Sequence, residues 1–197
     1  MTLRIVEEPP TLATLHEYLT VSIAFVVDSQ LRLDSPESGS GGMPLVEEPV
    51  DPPWVKDYDA QPQDSDDYVL NWPNRWNIKN WGVISAFDGH ERVGGALIAW
   101  KTDGLSFTEG RDDLAALFDI RVAPERRRDG IGSLVFDHVV AWAKQRGITE
   151  LKIETQNINV RACRFYANRG CSLSAINHEA YPEFPDEVQM IWRLQFS

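Results

Sequence analysis

The chain has 197 residues, of which 43% are hydrophobic, so it is long enough and apolar enough for one domain with a full core. Its net charge is −11 and its only basic cluster is Arg126–Arg128, which argues against a nucleic-acid-binding protein with an extended basic face. The longest apolar run, residues 23–27, is far shorter than a membrane span.

The first residues, MTLRIVEEPP, carry acids and a proline pair instead of the basic start and apolar run of a signal peptide, so we expect a cytoplasmic protein. Cys163 falls in a predicted helix and Cys171 just past its end. Eight residues of helix span about 12 Å, which is too far for a disulfide. We therefore expect two free, mostly buried thiols.

The first third of the chain predicts strands and irregular segments. Residues 19–34 alternate apolar and polar side chains like a strand, and the Ser/Gly-rich residues 35–43 are typical of a turn or loop. Residues 44–67 are rich in prolines and acids, which disfavour a long helix or a central strand, so we expect an irregular arm there. Three tryptophans in residues 72–81 are expected to be packing anchors.

The remaining chain alternates strands and helices. The pattern predicts a hairpin closed by Asp88-Gly89, strands over 114–122 and 150–156, helices over 131–147 and 159–170, and two final strands over 171–181 and 188–196. The first helix has apolar residues at helical spacing, namely Ile131, Leu134, Val135, Val139 and Trp142. Strand–helix–strand connections require parallel pairing within 117–156, so the fold class is a mixed α/β sheet.

A glycine turn joins the strand over 114–122 to the helix that follows it. The first N–H groups of that helix lack intrahelical acceptors, and its dipole attracts anions. Gly130 and Gly132 allow an anion close to the backbone, and Arg127 and Arg128 add positive charge. No lysine follows Gly132, which excludes a Walker loop, and Val135 stands where a dinucleotide fingerprint needs glycine. The turn therefore predicts a diphosphate site, with an ordinary tight turn as the alternative.

Two segments together point to a family. Arg127-Arg128-Asp129-Gly130-Ile131-Gly132 resembles the Arg/Gln-x-x-Gly-x-Gly/Ala signature of the GNAT superfamily of N-acetyltransferases, and the segment NVRACRFYANRG, residues 159–170, resembles the family's next segment. The run LKIETQNINVRACRFYANRG and the turn Phe184-Pro185-Asp186-Glu187 are similar to the streptothricin acetyltransferases in particular. The resemblance covers residues 80–197.

The resemblance implies the GNAT, or acyl-CoA N-acyltransferase, fold, in which helices flank a mixed, centrally splayed β-sheet. Residues 80–197 are expected to be the acetyl-CoA-binding core, with 1–79 as a β-rich region and acidic arm of the same domain. The implied co-substrate is acetyl-CoA, with its diphosphate on the backbone of residues 128–133 and its pantetheine along 119–122. The cofactor-binding residues implied are Ile120, Arg121, Val122, Arg127, Arg128, Asp129, Gly130, Ile131, Gly132, Ser133, Asn159 and Tyr166.

Acetyl transfer to an amine needs a base and a general acid. Tyr166 occupies the family's general-acid position, with a packed aromatic as the alternative, and Asn159 could equally be a helix N-cap. Glu154 and Asp119 are the candidate bases, each alternatively held in a structural hydrogen bond or ion pair, for example with Arg121 or Arg164. An ordered water could also accept the proton.

The acceptor is expected to be a small cationic amine. Residues 119–170 hold ten Lys/Arg and six Asp/Glu, whereas residues 44–70 hold eight acids and one lysine, which suits an anionic cofactor and a cationic acceptor. Tyr181, Asp186 and Glu187 are the candidate acceptor-binding residues, although acidic surfaces also keep proteins in solution. The alternative acceptors are protein or peptide amines and polyamines. The alternative function is a CoA-binding module without catalysis. A homodimer is left open. No residue is assigned to a metal or a membrane.

Overall fold

The computed structural model describes residues 3–33, 45–60, 62–66 and 68–196; the loop predicted over 35–43 lies outside them. The chain forms two compact units. The larger unit comprises the residues up to Ala24, Asp57–Ile153 and the end of the chain from Gln195, and the smaller unit comprises Phe25–Lys56 and Glu154–Leu194. The boundary near residue 80 expected from the sequence stays a prediction.

After residue 81 the described residues form three strands, a helix, a strand, a second helix and two final strands. The strands are β1 Leu3–Glu8, β2 Phe25–Leu33, β3 Leu45–Lys56, β4 Gly82–Asp88, β5 Glu91–Ala99, β6 Leu114–Val122, β7 Glu150–Gln156, β8 Ser172–Asn177 and β9 Gln189–Gln195. The helices are α1 Leu12–Tyr18, α2 Trp72–Arg75, α3 Ile131–Gln145 and α4 Val160–Asn168. Every helix and strand predicted after residue 81 is confirmed to within a few residues.

The sheet of the larger unit has the order β1-β4-β5-β6-β7. Its pairs are antiparallel except β6 and β7, which are parallel and joined through α3. The β6–β7 ladder runs from Leu114↔Glu150 to Leu117↔Ile153, whereas β6 itself continues to Val122. This confirms the mixed sheet, with a parallel pair that stops before the end of β6.

Aromatic side chains pack around Phe118, the middle residue of β6. Trp72, Trp76 and Trp81 surround the ring of Phe118, with ring centroids 5.2, 5.8 and 5.1 Å from it. Trp72 and Trp81 are buried, so the prediction that the tryptophan segment anchors the packing is confirmed. These rings therefore pack against the residue that immediately precedes Asp119, the first candidate site residue on β6.

Helix α3 packs one apolar face against the sheet, as predicted, with one exception. Ile131, Val135, Val139 and Trp142 are buried, but Leu134 is 40% exposed. At 100° per residue, Leu134 lies about 95° from the centre of the stripe that these four residues form, so the prediction that it faces the core is wrong.

The smaller unit contains the end of β7, β9 and β8 in that order, together with α4 and the antiparallel ribbon β2–β3. The ribbon corrects the irregular arm predicted over 44–67, because Leu45–Lys56 is a strand. Its prolines fit because β3 pairs only with β2 among the described residues, and because Pro52 and Pro53 fall where the register jumps from Val27↔Trp54 to Ser29↔Pro49. Edge strands and bulges are the places where a sheet accepts proline.

The start of the chain also differs from expectation. The strand predicted from residue 19 begins only at Phe25. Leu12–Tyr18 form helix α1, which was not predicted and which Thr11 caps by accepting from the Thr14 N–H. No helix in the described part of the chain has the length and apolarity needed to cross a membrane. The described residues also contain no group of three or more His, Cys, Asp or Glu placed to hold a metal ion.

Candidate active site

The turn between β6 and α3 contains backbone N–H groups that have no acceptor among the described residues. Arg128 and Gly130 both adopt left-handed backbone angles, with φ of 76° and 82°, and Gly130 is the N-cap of α3. Among the described residues, the N–H groups of Ile131, Gly132 and Ser133 have no hydrogen-bond acceptor, as expected at a helix N-terminus. A Cβ added to Gly130 would meet no atom within 4 Å, so the space beside the turn is open. These features fit a bound diphosphate.

The three arginines of this turn are placed differently. Arg126 forms ion pairs with Asp88 and Asp129. Arg127 donates from Nε to the Val122 carbonyl at 3.1 Å. Arg128 is exposed. The three arginines predicted to supply positive charge at the turn therefore have different surroundings.

A buried network surrounds Asp119, one of the two predicted bases. Arg121 donates to both carboxylate oxygens of Asp119, at 3.0 and 2.5 Å, and the Tyr18 hydroxyl donates to Oδ1 at 2.6 Å. Arg121 also contacts Asp59, with Nη1 2.8 Å from Oδ2. Burial, and next the Asp119 carboxylate, raise the pKa of Tyr18 well above its usual value, so its hydroxyl remains a donor. The alternative named for Asp119, an ion pair with Arg121, is thus present.

The main chain of Ile120, Arg121 and Val122 lies on β6, beyond the last β6–β7 pair. On its other side this segment pairs with β5, as Ala96↔Ile120, Gly95↔Arg121 and Gly94↔Val122. Pairing of β6 with the parallel strand β7 therefore ends at Leu117, whereas its pairing with the antiparallel strand β5 continues to Val122. Such a strand has backbone groups on one edge that an extended ligand could pair with.

Glu154, the other predicted base, belongs to the smaller unit and is held by two donors. The Tyr181 hydroxyl donates to Oε1 at 2.5 Å, and Gln189 Nε2 donates to Oε2 at 2.8 Å. Gln156 in turn donates to the Tyr181 oxygen at 2.7 Å. Burial, and next the Glu154 charge, raise the pKa of Tyr181 well above its usual value, so the phenol stays protonated. Tyr181 therefore orients Glu154 in this structure.

Asn159 precedes the first residue of α4, and Tyr166 lies on the buried face of this helix. The Asn159 side chain accepts from the Ala162 N–H at 3.2 Å, which makes it the helix N-cap that the sequence analysis named as one alternative. Tyr166 is only 4% exposed, and its ring packs edge-on against Phe165 with centroids 5.4 Å apart. Packing and a catalytic role are compatible for this tyrosine, because a phenol can be buried around its ring and still use its hydroxyl.

The turn after β8 carries the other two predicted acceptor-binding residues. Glu187 is buried and forms an ion pair with Lys56, whose ammonium also lies 4.2 Å from the centre of the Phe184 ring. Asp186 is exposed. The charge of Glu187 is therefore compensated within the unit, whereas Asp186 faces solvent.

Several residues of these networks were not identified from the sequence, namely Tyr18, Lys56, Asp59 and Gln189. The spacing of Asp119 and Arg121 signals that they share one face of a strand. No comparable signal was available for the four others, because each reaches its partner from a distant segment.

Sequence comparison relates the chain to known acetyltransferases. The family model described as the Acetyltransferase (GNAT) family matches residues 48–171. Streptothricin acetyltransferase A of Bacillus subtilis (strain 168) is 34% identical over 84 residues, which cover 42% of this chain and 49% of that protein. The [ribosomal protein bS18]-alanine N-acetyltransferase of Escherichia coli (strain K12) is 31% identical over 82 residues, covering 42% of this chain and 55% of the relative. The chain thus spans about half the length of these curated relatives.

Solved structures extend the likeness over the whole fold. A protein from Bacillus anthracis str. Ames, solved in complex with acetyl coenzyme A, has a TM-score of 0.75 and 23% identity, covering 99% of this chain and all of that one. Nourseothricin acetyltransferase has a TM-score of 0.71 and 22% identity, covering 99% of both chains. At these identities the structures establish the fold. With the family model covering well over half of its length, the chain belongs to the GNAT family of acetyltransferases.

Proposed function

We propose that the chain is an N-acetyltransferase that transfers the acetyl group of acetyl-CoA to a primary amine of a cationic small molecule. The observation that carries this proposal is the open turn at residues 128–133, where the first N–H groups of α3 have no acceptor among the described residues, in a chain of the GNAT family. Streptothricin-type antibiotics are the first acceptors to test, because curated relatives are named streptothricin acetyltransferases.

For the cofactor, we assign the diphosphate to the N–H groups of residues 128–133 and to the charge of Arg127 and Arg128. The edge of β6 from Asp119 to Val122 would pair with the extended pantetheine arm. Asn159 would bind that arm through donor or acceptor capacity beyond its capping bond. Acetyl-CoA supplies the activated acetyl thioester.

For the chemistry, the acceptor ammonium must first lose a proton, since only a neutral amine has a lone pair to attack with. Glu154 suits this role better than Asp119, because Asp119 already pairs with Arg121 on both oxygens. Glu154 would take the proton directly or through a water. Tyr166 would donate its hydroxyl proton to the departing thiolate sulfur, and backbone N–H groups of β6 would stabilise the tetrahedral oxyanion.

For the acceptor, the exposed carboxylate of Asp186 would attract a cation. Tyr181, through its hydrogen bond to Glu154, and Glu187, through its ion pair with Lys56, would form part of the wall of the acceptor site. The acidic excess of residues 44–70 would raise the local concentration of a polycation.

The test is CoA release from acetyl-CoA with a panel of amines: streptothricin, polyamines, aminoglycosides and a peptide with an amino-terminal alanine. The peptide is included because of the likeness to the bS18-alanine enzyme. Release with streptothricin alone supports the full proposal. CoA release only with another amine would support the acetyltransferase activity and would exclude streptothricin as the acceptor.

A CoA-binding module without turnover is the alternative of a different class. Tyr166→Phe separates the two, because an enzyme should lose about 10²- to 10⁴-fold in kcat when it loses a general acid, with acetyl-CoA affinity unchanged. A module would bind acetyl-CoA, acetylate no amine and be indifferent to the substitution. A homodimer and a cytoplasmic location stay predictions from the sequence.

A further inference from the structure

The proposed diphosphate-binding turn contains an acid. Asp129 lies between Arg128 and Gly130, and its carboxylate is 46% exposed. A negative charge at this position would repel a diphosphate that approaches the neighbouring N–H groups. Something must offset this repulsion if the turn binds an anion.

Arg126 is placed to offset it. Its Nε donates to Asp129 Oδ2 at 3.0 Å, and its Nη1 donates to Asp88 Oδ2 at 3.2 Å. The Arg126 side chain is only 15% exposed, so its charge is directed at the two acids rather than at solvent.

The second acid fixes the turn to a rigid element. Asp88 is the last residue of β4, at the closed end of the β4–β5 hairpin, where it pairs with Glu91. The turn that carries Asp129 is also tied back by its own backbone, through the Asp129 N–H to the Arg126 carbonyl at 3.4 Å. The guanidinium therefore connects the turn to the sheet that supports it.

We propose that Arg126 is a positioning residue of the cofactor-binding turn: it neutralises Asp129 and fastens the turn to the β4–β5 hairpin. This inference rests on the proposed function for its ligand. It assigns the three consecutive arginines to different tasks, with Arg126 acting through Asp129 and the other two acting on the anion.

The test compares acetyl-CoA affinity in four variants by isothermal titration calorimetry at low and at physiological salt. Arg126→Gln should weaken binding about tenfold, and more at low salt, because an uncovered carboxylate then faces the diphosphate. Asp129→Asn should bind at least as tightly as the wild type. The double variant should regain wild-type affinity within about twofold, since the acid that needed neutralising is gone.

Arg146→Gln is the matched control. It also removes one positive charge, but at the opposite end of α3, where Arg146 pairs with Glu7. If Arg126→Gln binds like this control, or if the double variant stays as weak as Arg126→Gln, the proposed neutralisation is wrong. A merely structural arginine would not be rescued by Asp129→Asn.

Amide hydrogen exchange without ligand tests the fastening separately. Arg126→Gln and Asp88→Asn should both speed exchange across residues 126–133, whereas Arg146→Gln should not. Unchanged exchange in both would refute the fastening. A wild type that binds no acetyl-CoA would overturn the proposed function, and the exchange result would still decide whether Arg126 holds the turn.

Discussion

Gly130→Ala tests the anion-binding turn most directly. Gly130 has φ of 82°, and an added Cβ would meet no atom within 4 Å, so the substitution creates no clash with the protein. Its cost is the left-handed backbone of a residue with a Cβ, about 1–2 kcal/mol. The melting temperature of a chain of this size should fall by about 2–8 °C. If the turn relaxes to avoid the strain, its N–H groups change direction; if it does not, the Cβ takes up the open space.

Either response should weaken acetyl-CoA binding. A loss of about 1–2 kcal/mol corresponds to about 5- to 30-fold in Kd, measured by calorimetric titration beside thermal unfolding. Gly147→Ala is the matched control, because Gly147 follows α3 with φ of 71° and also has no atom within 4 Å of an added Cβ. Both variants should lose similar stability, and only Gly130→Ala should lose affinity. Equal Kd values in the two variants would refute the assignment of the diphosphate to this turn.

Asp119→Asn removes one of the two carboxylates that pair with the buried guanidinium of Arg121. Because Asp59 still pairs with Arg121, the free energy of unfolding in urea should fall by about 2 kcal/mol, the value of a hydrogen bond to a charged group. A fall below about 0.5 kcal/mol would contradict a structural role for the Asp119–Arg121 pair. Tyr181→Phe removes a donor that orients Glu154, and kcat in steady-state assays should fall about tenfold with acetyl-CoA affinity unchanged. An unchanged kcat would contradict the role of Tyr181 in positioning Glu154. Burial raises the pKa of Cys163 from 9.0 to about 11, so its thiolate at pH 8 should be about a hundredfold scarcer than in an exposed cysteine. Labelling with Ellman's reagent should then be slow in the native protein, faster towards pH 11 and fast after unfolding; equal native and unfolded rates would contradict the burial.

The elements after residue 81 could be predicted because their signals are local. The spacing of apolar residues in α3, the asparagine cap of α4 and the glycines that follow both helices each act within a few residues of chain. The segment before residue 81 carries weaker signals. Its prolines argue against a strand, yet β3 forms, because pairing with β2 alone and a register jump at Pro52 and Pro53 leave room for residues without an N–H donor.

The amino-acid sequence by itself determined the order of strands and helices in the second half, the glycine turn before α3 and the family to which the chain belongs. Only the tertiary structure decided the state of the candidate side chains. It paired Asp119 with Arg121 and Tyr18, and it placed two donors on Glu154. The physical reason is that backbone conformation depends on neighbouring residues, whereas the environment of a carboxylate depends on groups that the fold brings in from segments far apart in the chain.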